Sequence, residues 1–200
     1  MLNPYDLLGR YRVVVTWITL ISSWIVGGYL SWHGDPLREN VEWHGRRGIL
    51  ALELCNQPDD MDTLLKKLGA TPSGRGPDQS LRDLAISDLH IDFLFIATYS
   101  TAIALVCGYS VSRRTTIFMR PVLLLAWAQF FAGFLDVIEN LALLNMLNIG
   151  SVTNHVMPIV ASWCATLKFK LVFAGIGVGV VASVVKWISH RAAKEAGRKE

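Results

Sequence analysis

The sequence predicts an all-α membrane protein, a four-transmembrane-helix bundle with a small external helical insert between helices 1 and 2. Two observations indicate this class. Of the 200 residues, 52% are hydrophobic and 18% are charged, below the roughly 25% charge usual in soluble domains. Four apolar runs are also long enough to cross a bilayer. We interpret residues 1–200 as one membrane domain with spans at about 13–32, 91–111, 121–146 and 156–188.

The first apolar run has two possible interpretations, a cleaved signal sequence or a retained helix. Its length of about 20 residues exceeds the roughly 7–15 of a signal h-region, and no A-x-A-like cleavage site follows it. We therefore expect a retained first transmembrane helix.

The placement of lysine and arginine predicts the orientation, since these residues concentrate in cytoplasmic loops. They precede the first span, occur between the second and third, and follow the fourth, but the loop between the third and fourth has none. We expect both termini in the cytoplasm of a bacterial cell, the insert outside, and the plasma (inner) membrane as location. The net charge of +3 reflects this asymmetry and favours contact with lipid headgroups, not nucleic acid.

The segment 33–90 is too long for a simple connector and has local helical patterns. In "PDDMDTLLKKLG", Pro58 fits a first helical turn and Gly69 fits a C-terminal cap. The stretch "TPSGRGPDQS" predicts a loop. A helix over 79–112 would then run without a break into the second span, with a length of about 50 Å.

Polar side chains interrupt three of the spans. In the third span Gln129, Asp136 and Asn140 share one helical stripe, with Glu139 beside it. Asp92 and Tyr99 share a stripe of the second span, and Lys168 interrupts the fourth. The candidate ligand-binding residues are Asp92, Tyr99, Gln129, Asp136, Glu139, Asn140 and Lys168.

Helical rise places the acids and the lysine at one depth. Asp136 lies about 15 Å and Lys168 about 18 Å from the outer ends of their spans. A lone charge at the centre of a bilayer costs about 3 kcal/mol or more, so such groups pair or face water. We expect Asp136 or Glu139 to pair with Lys168, either as a structural lock or in a polar cavity that holds a headgroup, an ion or a proton.

Other motifs carry less information. Cys55, Cys107 and Cys164 form no C-x-x-C pair, and the five histidines lack the spacing typical of zinc sites, so we expect no metal and no cofactor. No nucleophile triad, phosphate loop or dinucleotide motif occurs. Gly175 and Gly179, followed by a serine, make a small-xxx-small seam that favours packing within the chain over a homodimer contact.

Four segments together resemble a pattern found in small bacterial four-helix integral membrane proteins of unassigned function. They are "GILALELC", "DFLFIATYS", "GFLDVIENLALL" and "ATLKFKLV", between about Gly48 and Val172. The resemblance implies no activity, but it implies that certain polar residues belong to the recurring pattern. These are Glu53, Asp92, Tyr99, Asp136, Glu139, Asn140 and Lys168.

Two further similarities are weaker. The long first loop is similar to that of claudin-like proteins, whose paired loop cysteines are missing here. Emopamil-binding-type isomerases also carry intramembrane acids, without a residue-by-residue match.

Three functional classes remain open. The first is an integral membrane protein that binds or transports a lipid-like or small polar ligand at the acid/lysine cluster, in the outer half of the bilayer. The second is an accessory subunit of a larger membrane complex, in which the cluster is a lock. The third is a membrane enzyme that uses the acids as general acid and base. Expected partners are membrane lipids and either a partner membrane protein or further copies of the chain.

Overall fold

Four long helices dominate the structure, a computed structural model that describes residues 2–75, 78–111 and 120–196. The chain is 83% helical. The helices α2 (Arg12–His33), α6 (Leu81–Val111), α7 (Arg120–Ile149) and α8 (Val156–Ala196) each contain a segment long and apolar enough to cross a membrane. This content is consistent with the predicted all-α bundle. A short helix α1 (Pro4–Leu7) and a 3₁₀ turn (Gly9–Tyr11) precede α2.

The insert between α2 and α6 consists of α3 (Asp35–Asn40), strands β1 (Glu42–Trp43) and β2 (Arg46–Arg47), α4 (Ile49–Leu54) and α5 (Pro58–Ala70). The two strands form an antiparallel hairpin that the helical pattern did not predict. Its two turn residues, His44 and Gly45, both have positive φ, at 48° and 78°. A two-residue turn of this kind matches the twist of paired strands.

Two predicted boundaries near the insert differ in the structure. Pro58 is in the first turn of α5 as expected, but the helix continues through Ala70, so Gly69 does not cap it. A Cβ at Gly69 would lie 2.3 Å from the Arg82 guanidinium, so this glycine leaves room for that side chain. Helix α6 begins at Leu81, two residues after the predicted start, and the predicted end at Ser112 is outside the described residues.

The chain divides into two compact units. The first unit contains Met1–Ile21, Thr98–Ala132 and Phe169–Glu200, and the second contains Ser22–Ala97 and Gly133–Lys168. Each long helix therefore contributes one part to each unit.

The second unit has an apolar core that joins the insert to the long helices. Leu52 of α4 and Leu65 of α5 pack in one cluster with Leu84 of α6 and Leu147 of α7. Each fully buried leucine stabilises the fold by roughly 1.5–3 kcal/mol. Two polar contacts add to this core: Ser162 Oγ donates to the Leu54 carbonyl, at 3.2 Å, and the backbone N–H of Val152 donates to Asp62, also at 3.2 Å. The Ser162 bond fixes α4, which carries Glu53, against α8, and the Val152 bond fixes α5 against the segment between α7 and α8.

Candidate functional site

A buried lysine of α8 lies at the centre of the candidate site. Lys168 Nζ is 2.5 Å from Asp136 Oδ1, 2.9 Å from Glu139 Oε2 and 3.8 Å from Glu53 Oε1. All four side chains are buried. The predicted pairing of Lys168 with an acid of the third span is therefore present, and Lys168 contacts both of the proposed acids. We call six residues the Lys168 cluster: Glu53, Asp92, Asp136, Glu139, Asn140 and Lys168.

Helical spacing explains how α7 supplies three members of the cluster. Asp136, Glu139 and Asn140 stand at i, i+3 and i+4, positions that share one face of a helix. Glu53 comes from the insert, where Ala51, Leu52 and Glu53 are the buried residues of α4. The insert thus contributes an acid to the site, in addition to its apolar core.

Asp92 of α6 joins the cluster through an amide. Asn140 Nδ2 donates a hydrogen bond of 2.7 Å to Asp92 Oδ2. Asp92 also lies within electrostatic range of Asp136, Lys168 and Glu53. The cluster therefore draws side chains from α4, α6, α7 and α8, all within the second unit.

The cluster has an excess of acidic groups. It contains four carboxyls and one ammonium, so it would carry three uncompensated negative charges if every carboxyl were ionised. Buried charge without a partner is strongly unfavourable. The arrangement is therefore stable only when protons or positively charged groups offset part of the excess.

The carboxyl of Glu53 shows this effect outside the apolar spans. Its burial raises the pKa above the ordinary value of 4.5, and the Lys168 ammonium only partly opposes that rise. Glu53 consequently holds a proton more strongly than an exposed glutamate does.

Two buried acceptors in the cluster have neither a hydrogen-bond partner nor an ion-pair contact among the described residues. They are Glu139 Oε1 and Asn140 Oδ1, on residues that are both 0% exposed, whereas Glu139 Oε2 is paired with Lys168. Buried polar atoms in proteins are nearly always hydrogen-bonded. Both atoms are therefore suited to a donor such as a hydroxyl, an ammonium or a carboxyl proton.

The chain was compared with protein-family models, curated proteins and solved structures. None of them matches it. The chemistry of the Lys168 cluster has to follow from its own side chains.

The structure brings together five of the seven predicted site residues: Asp92, Asp136, Glu139, Asn140 and Lys168. Tyr99 and Gln129 belong to the first unit. There the Gln129 amide donates to the carbonyls of Leu125, at 3.2 Å, and Leu171, at 3.0 Å. A ligand-binding role for Tyr99 and Gln129 stays a prediction.

Glu53 was not among the residues predicted to bind ligand, although it contacts Lys168. The sequence held a signal for it, because Glu53 is the one acid within the apolar run "ILALELC". An acid at that place in a short amphipathic helix is buried only when a cation or a proton accompanies it.

A second ionisable pair lies where α2 meets the insert. His33 Nδ1 is hydrogen-bonded to Asp88 Oδ1. The imidazole stacks on the Tyr29 ring, with centroids 5.3 Å apart and an angle of 16° between the rings. Asp88 precedes Asp92 by one turn of α6.

Metal coordination receives no support from the described part of the chain, where no group of three His, Cys, Asp or Glu side chains is arranged to hold an ion. Cys55, Cys107 and Cys164 are buried free thiols. A groove of about 600 Å³ lies between α2 and α6, lined by residues that include Trp24, Gly27 and Phe95. This groove shares no residue with the Lys168 cluster.

Proposed function

We propose that the chain is a multi-pass membrane protein that binds or transports a small polar or lipid-like ligand at the Lys168 cluster. The observation that carries this proposal is the convergence of three buried carboxyls on one ammonium, with the half-buried Asp92 joined to them through Asn140. Ionisable groups inside membrane spans are costly, and their default interpretation is functional. Four apolar helices of spanning length support the membrane assignment.

The charge of the cluster indicates the chemistry of the ligand. An anionic headgroup would meet several carboxyls, while Lys168 already has Asp136 and Glu139 within 3 Å. A cationic or hydrogen-bond-donating group instead offsets the excess negative charge and supplies donors to Glu139 Oε1 and Asn140 Oδ1. We therefore propose a ligand with an ammonium, amine or hydroxyl head.

We further propose the bacterial inner membrane as the location, with both termini in the cytoplasm and the insert outside. The support is the distribution of lysine and arginine among the loops. The cluster would then lie in the outer half of the bilayer.

Native mass spectrometry after gentle extraction from the source membrane tests the binding proposal. We expect the wild-type chain to carry a discrete small-molecule adduct that Asp136→Asn and Glu139→Gln both lose. Glu42→Gln is the matched control, because it makes the same chemical change at an exposed position that pairs with Arg47. An adduct that persists in both cluster variants, or its absence from the wild type, would overturn the proposal.

One observation favours the second candidate, an accessory subunit of a membrane complex. Helix α2 is described along its whole length and none of its residues is buried. Trp17 and Trp24 are 61% and 81% exposed, as expected of a surface that faces lipid or a partner helix. A stoichiometric second protein in the same mass spectrum, with no adduct, would support this candidate and make the Lys168 cluster a structural lock.

A further inference from the structure

The His33–Asp88 pair is distinct from the Lys168 cluster in its exposure to water. The two side chains are 14% and 9% exposed, whereas Glu139 and Asn140 are 0% exposed. His33 is the last residue of α2 and directly precedes the insert. The pair is therefore placed at the insert end of the helices, where water can reach it.

A short series of acidic and amide groups leads from this pair to the cluster. Asp88 and Asp92 stand four residues apart on α6, which is one turn and about 6 Å of helical rise. Asp92 accepts the hydrogen bond from Asn140 and lies within electrostatic range of Asp136 and Glu53. All of these residues belong to the second unit.

We propose that the His33–Asp88 pair is a proton-exchange site that passes protons between water at the insert end and the carboxyls of the Lys168 cluster, by way of Asp92. This inference rests on the proposed function, since it assigns protons as the partners of the same buried acids. It adds a consequence: protons and a cationic ligand would compete for the cluster, and ligand occupancy would follow the pH on the insert side.

The transfer needs only N–H and O–H bonds. The imidazole takes a proton from hydronium at Nε2 and releases the Nδ1 proton to the ionised Asp88 Oδ1, which leaves a neutral ring in the Nε2–H tautomer. Exchange of the ring proton through water returns the Nδ1–H tautomer before the next transfer. The steps from Asp88 to Asp92, one helical turn away, and from Asp92 to the cluster carboxyls would each use a bridging water, since the Asn140 amide orients Asp92 but does not carry a proton. No oxidant or other co-reactant is consumed.

The surroundings of His33 hold the ring in a fixed orientation. Tyr29 stacks on one face of the imidazole, and the guanidinium of Arg75 lies 4.4 Å from the centroid of the neighbouring Trp32 ring. Arg75 also donates to the Trp32 carbonyl at 2.7 Å. A Cβ at Gly34 would come within 3.2 Å of Asp88 Oδ2, so glycine keeps that carboxylate oxygen uncrowded. Among the described residues, Tyr29 and Asp88 contact the His33 ring, and Arg75 lies within electrostatic range of Asp88.

Time-resolved infrared spectroscopy of the full chain in lipid nanodiscs tests the inference. A caged proton releases acid in a flash, and the carbonyl band of protonated carboxyls reports when the buried acids respond. Glu139→Gln assigns the part of the band that belongs to the cluster. We expect His33→Phe, which retains an aromatic ring against Tyr29, to slow this response by about 100-fold, at the low end of what a positioned acid–base group contributes.

Asp88→Asn gives a second, independent variant that should slow the response to a similar extent. The matched control is His90→Phe, because His90 is an exposed histidine on α6 whose Nδ1 bonds to the Ile86 carbonyl. Added imidazole should restore the rate in His33→Ala, where the space of the ring is vacant, a rescue that a purely structural role would not give.

Three outcomes would overturn the inference: an unchanged rate in both His33→Phe and Asp88→Asn, an equal slowing in His90→Phe, or no rescue by imidazole. The proposed function can fail separately. If Glu139→Gln loses the adduct while His33→Phe and Asp88→Asn keep the wild-type proton response, the binding proposal stands and only the relay is excluded. A slowed proton response without any adduct would keep the relay and leave protons as the only bound species.

Discussion

Lys168 Nζ lies 2.5 Å from Asp136 Oδ1, and this ion pair joins two helices through residues 32 positions apart in sequence. Both residues are buried, at 5% and 3% exposure. The pair is not isolated, because Glu139 and Glu53 approach the same ammonium. Lys168 is therefore shared by three carboxyls, and its loss would affect all of them.

Replacement of the shared lysine should destabilise the fold strongly. Lys168→Met leaves Glu53, Asp136 and Glu139 without their cation, and removal of one partner from a buried ion pair typically costs about 3–5 kcal/mol. Unfolding in detergent, followed by circular dichroism, measures the loss. Lys170→Met is the matched control, since Lys170 lies on the same helix and is exposed; a comparable loss there would contradict the shared role of Lys168.

Asp136→Asn should be much milder than Lys168→Met. Lys168 would keep Glu139 at 2.9 Å and Glu53 at 3.8 Å, and the change removes one of the excess negative charges. We expect a loss below about 1.5 kcal/mol, in the range of one hydrogen bond, in the same unfolding experiment. Equal losses of stability in Asp136→Asn and Lys168→Met would show that the two residues stabilise the fold only as a pair. That result would contradict the excess of acidic groups around Lys168.

The pH dependence of stability should report on Glu53. Its folded-state pKa is raised above 4.5 by burial, so the folded chain binds more protons than the unfolded chain at pH values above 4.5. The stabilisation that the Glu53 carboxyl contributes is then fully present below pH 4.5, and it is lost as the pH rises through the raised pKa. Melting temperatures measured upward from pH 4.5 should fall less steeply in Glu53→Gln. Glu42→Gln, at an exposed position of β1, should keep the wild-type slope; an unchanged slope in Glu53→Gln would contradict the prediction.

The small-residue seam of α8 should respond unequally to alanine. A Cβ at Gly175 would lie 2.4 Å from Gln129 Nε2 and 2.9 Å from Ile103, whereas at Gly179 the nearest atom is 3.3 Å away, on Val106. Overpacking typically costs about 1–3 kcal/mol, so we expect such a loss in Gly175→Ala and a smaller one in Gly179→Ala. Thermal unfolding measures both. If neither loses stability but the oligomeric state changes, the seam contacts a second copy.

The sequence predicted the long helices and the Lys168 pairing for physical reasons. Apolar runs of spanning length have few alternatives to helix, and charges at matching depth within apolar spans must find each other. Helical rise, counted from the predicted outer ends of the spans, therefore predicted Asp136 or Glu139 beside Lys168.

The same rules could not predict which residues of the insert contact the long helices. Glu53 lies in a six-residue helix whose position depends on tertiary packing of Leu52 and Leu65, and depth arithmetic applies only to spans. The His33–Asp88 bond was missed likewise, because His33 and Asp88 belong to helices separated by the whole insert. Local patterns do not specify contacts of that kind.

Chemical labelling should show on which side of the membrane the insert lies. The native thiols give little background, because Cys55, Cys107 and Cys164 are buried and burial raises the pKa of Cys55 to about 11, which leaves little reactive thiolate at pH 8. We expect an impermeant maleimide to label Lys66→Cys, at a side chain 71% exposed on α5, in intact cells. Arg10→Cys, ahead of α2, should react only after lysis. The reverse pattern would invert the orientation, and labelling of both in intact cells would contradict the membrane assignment of α2.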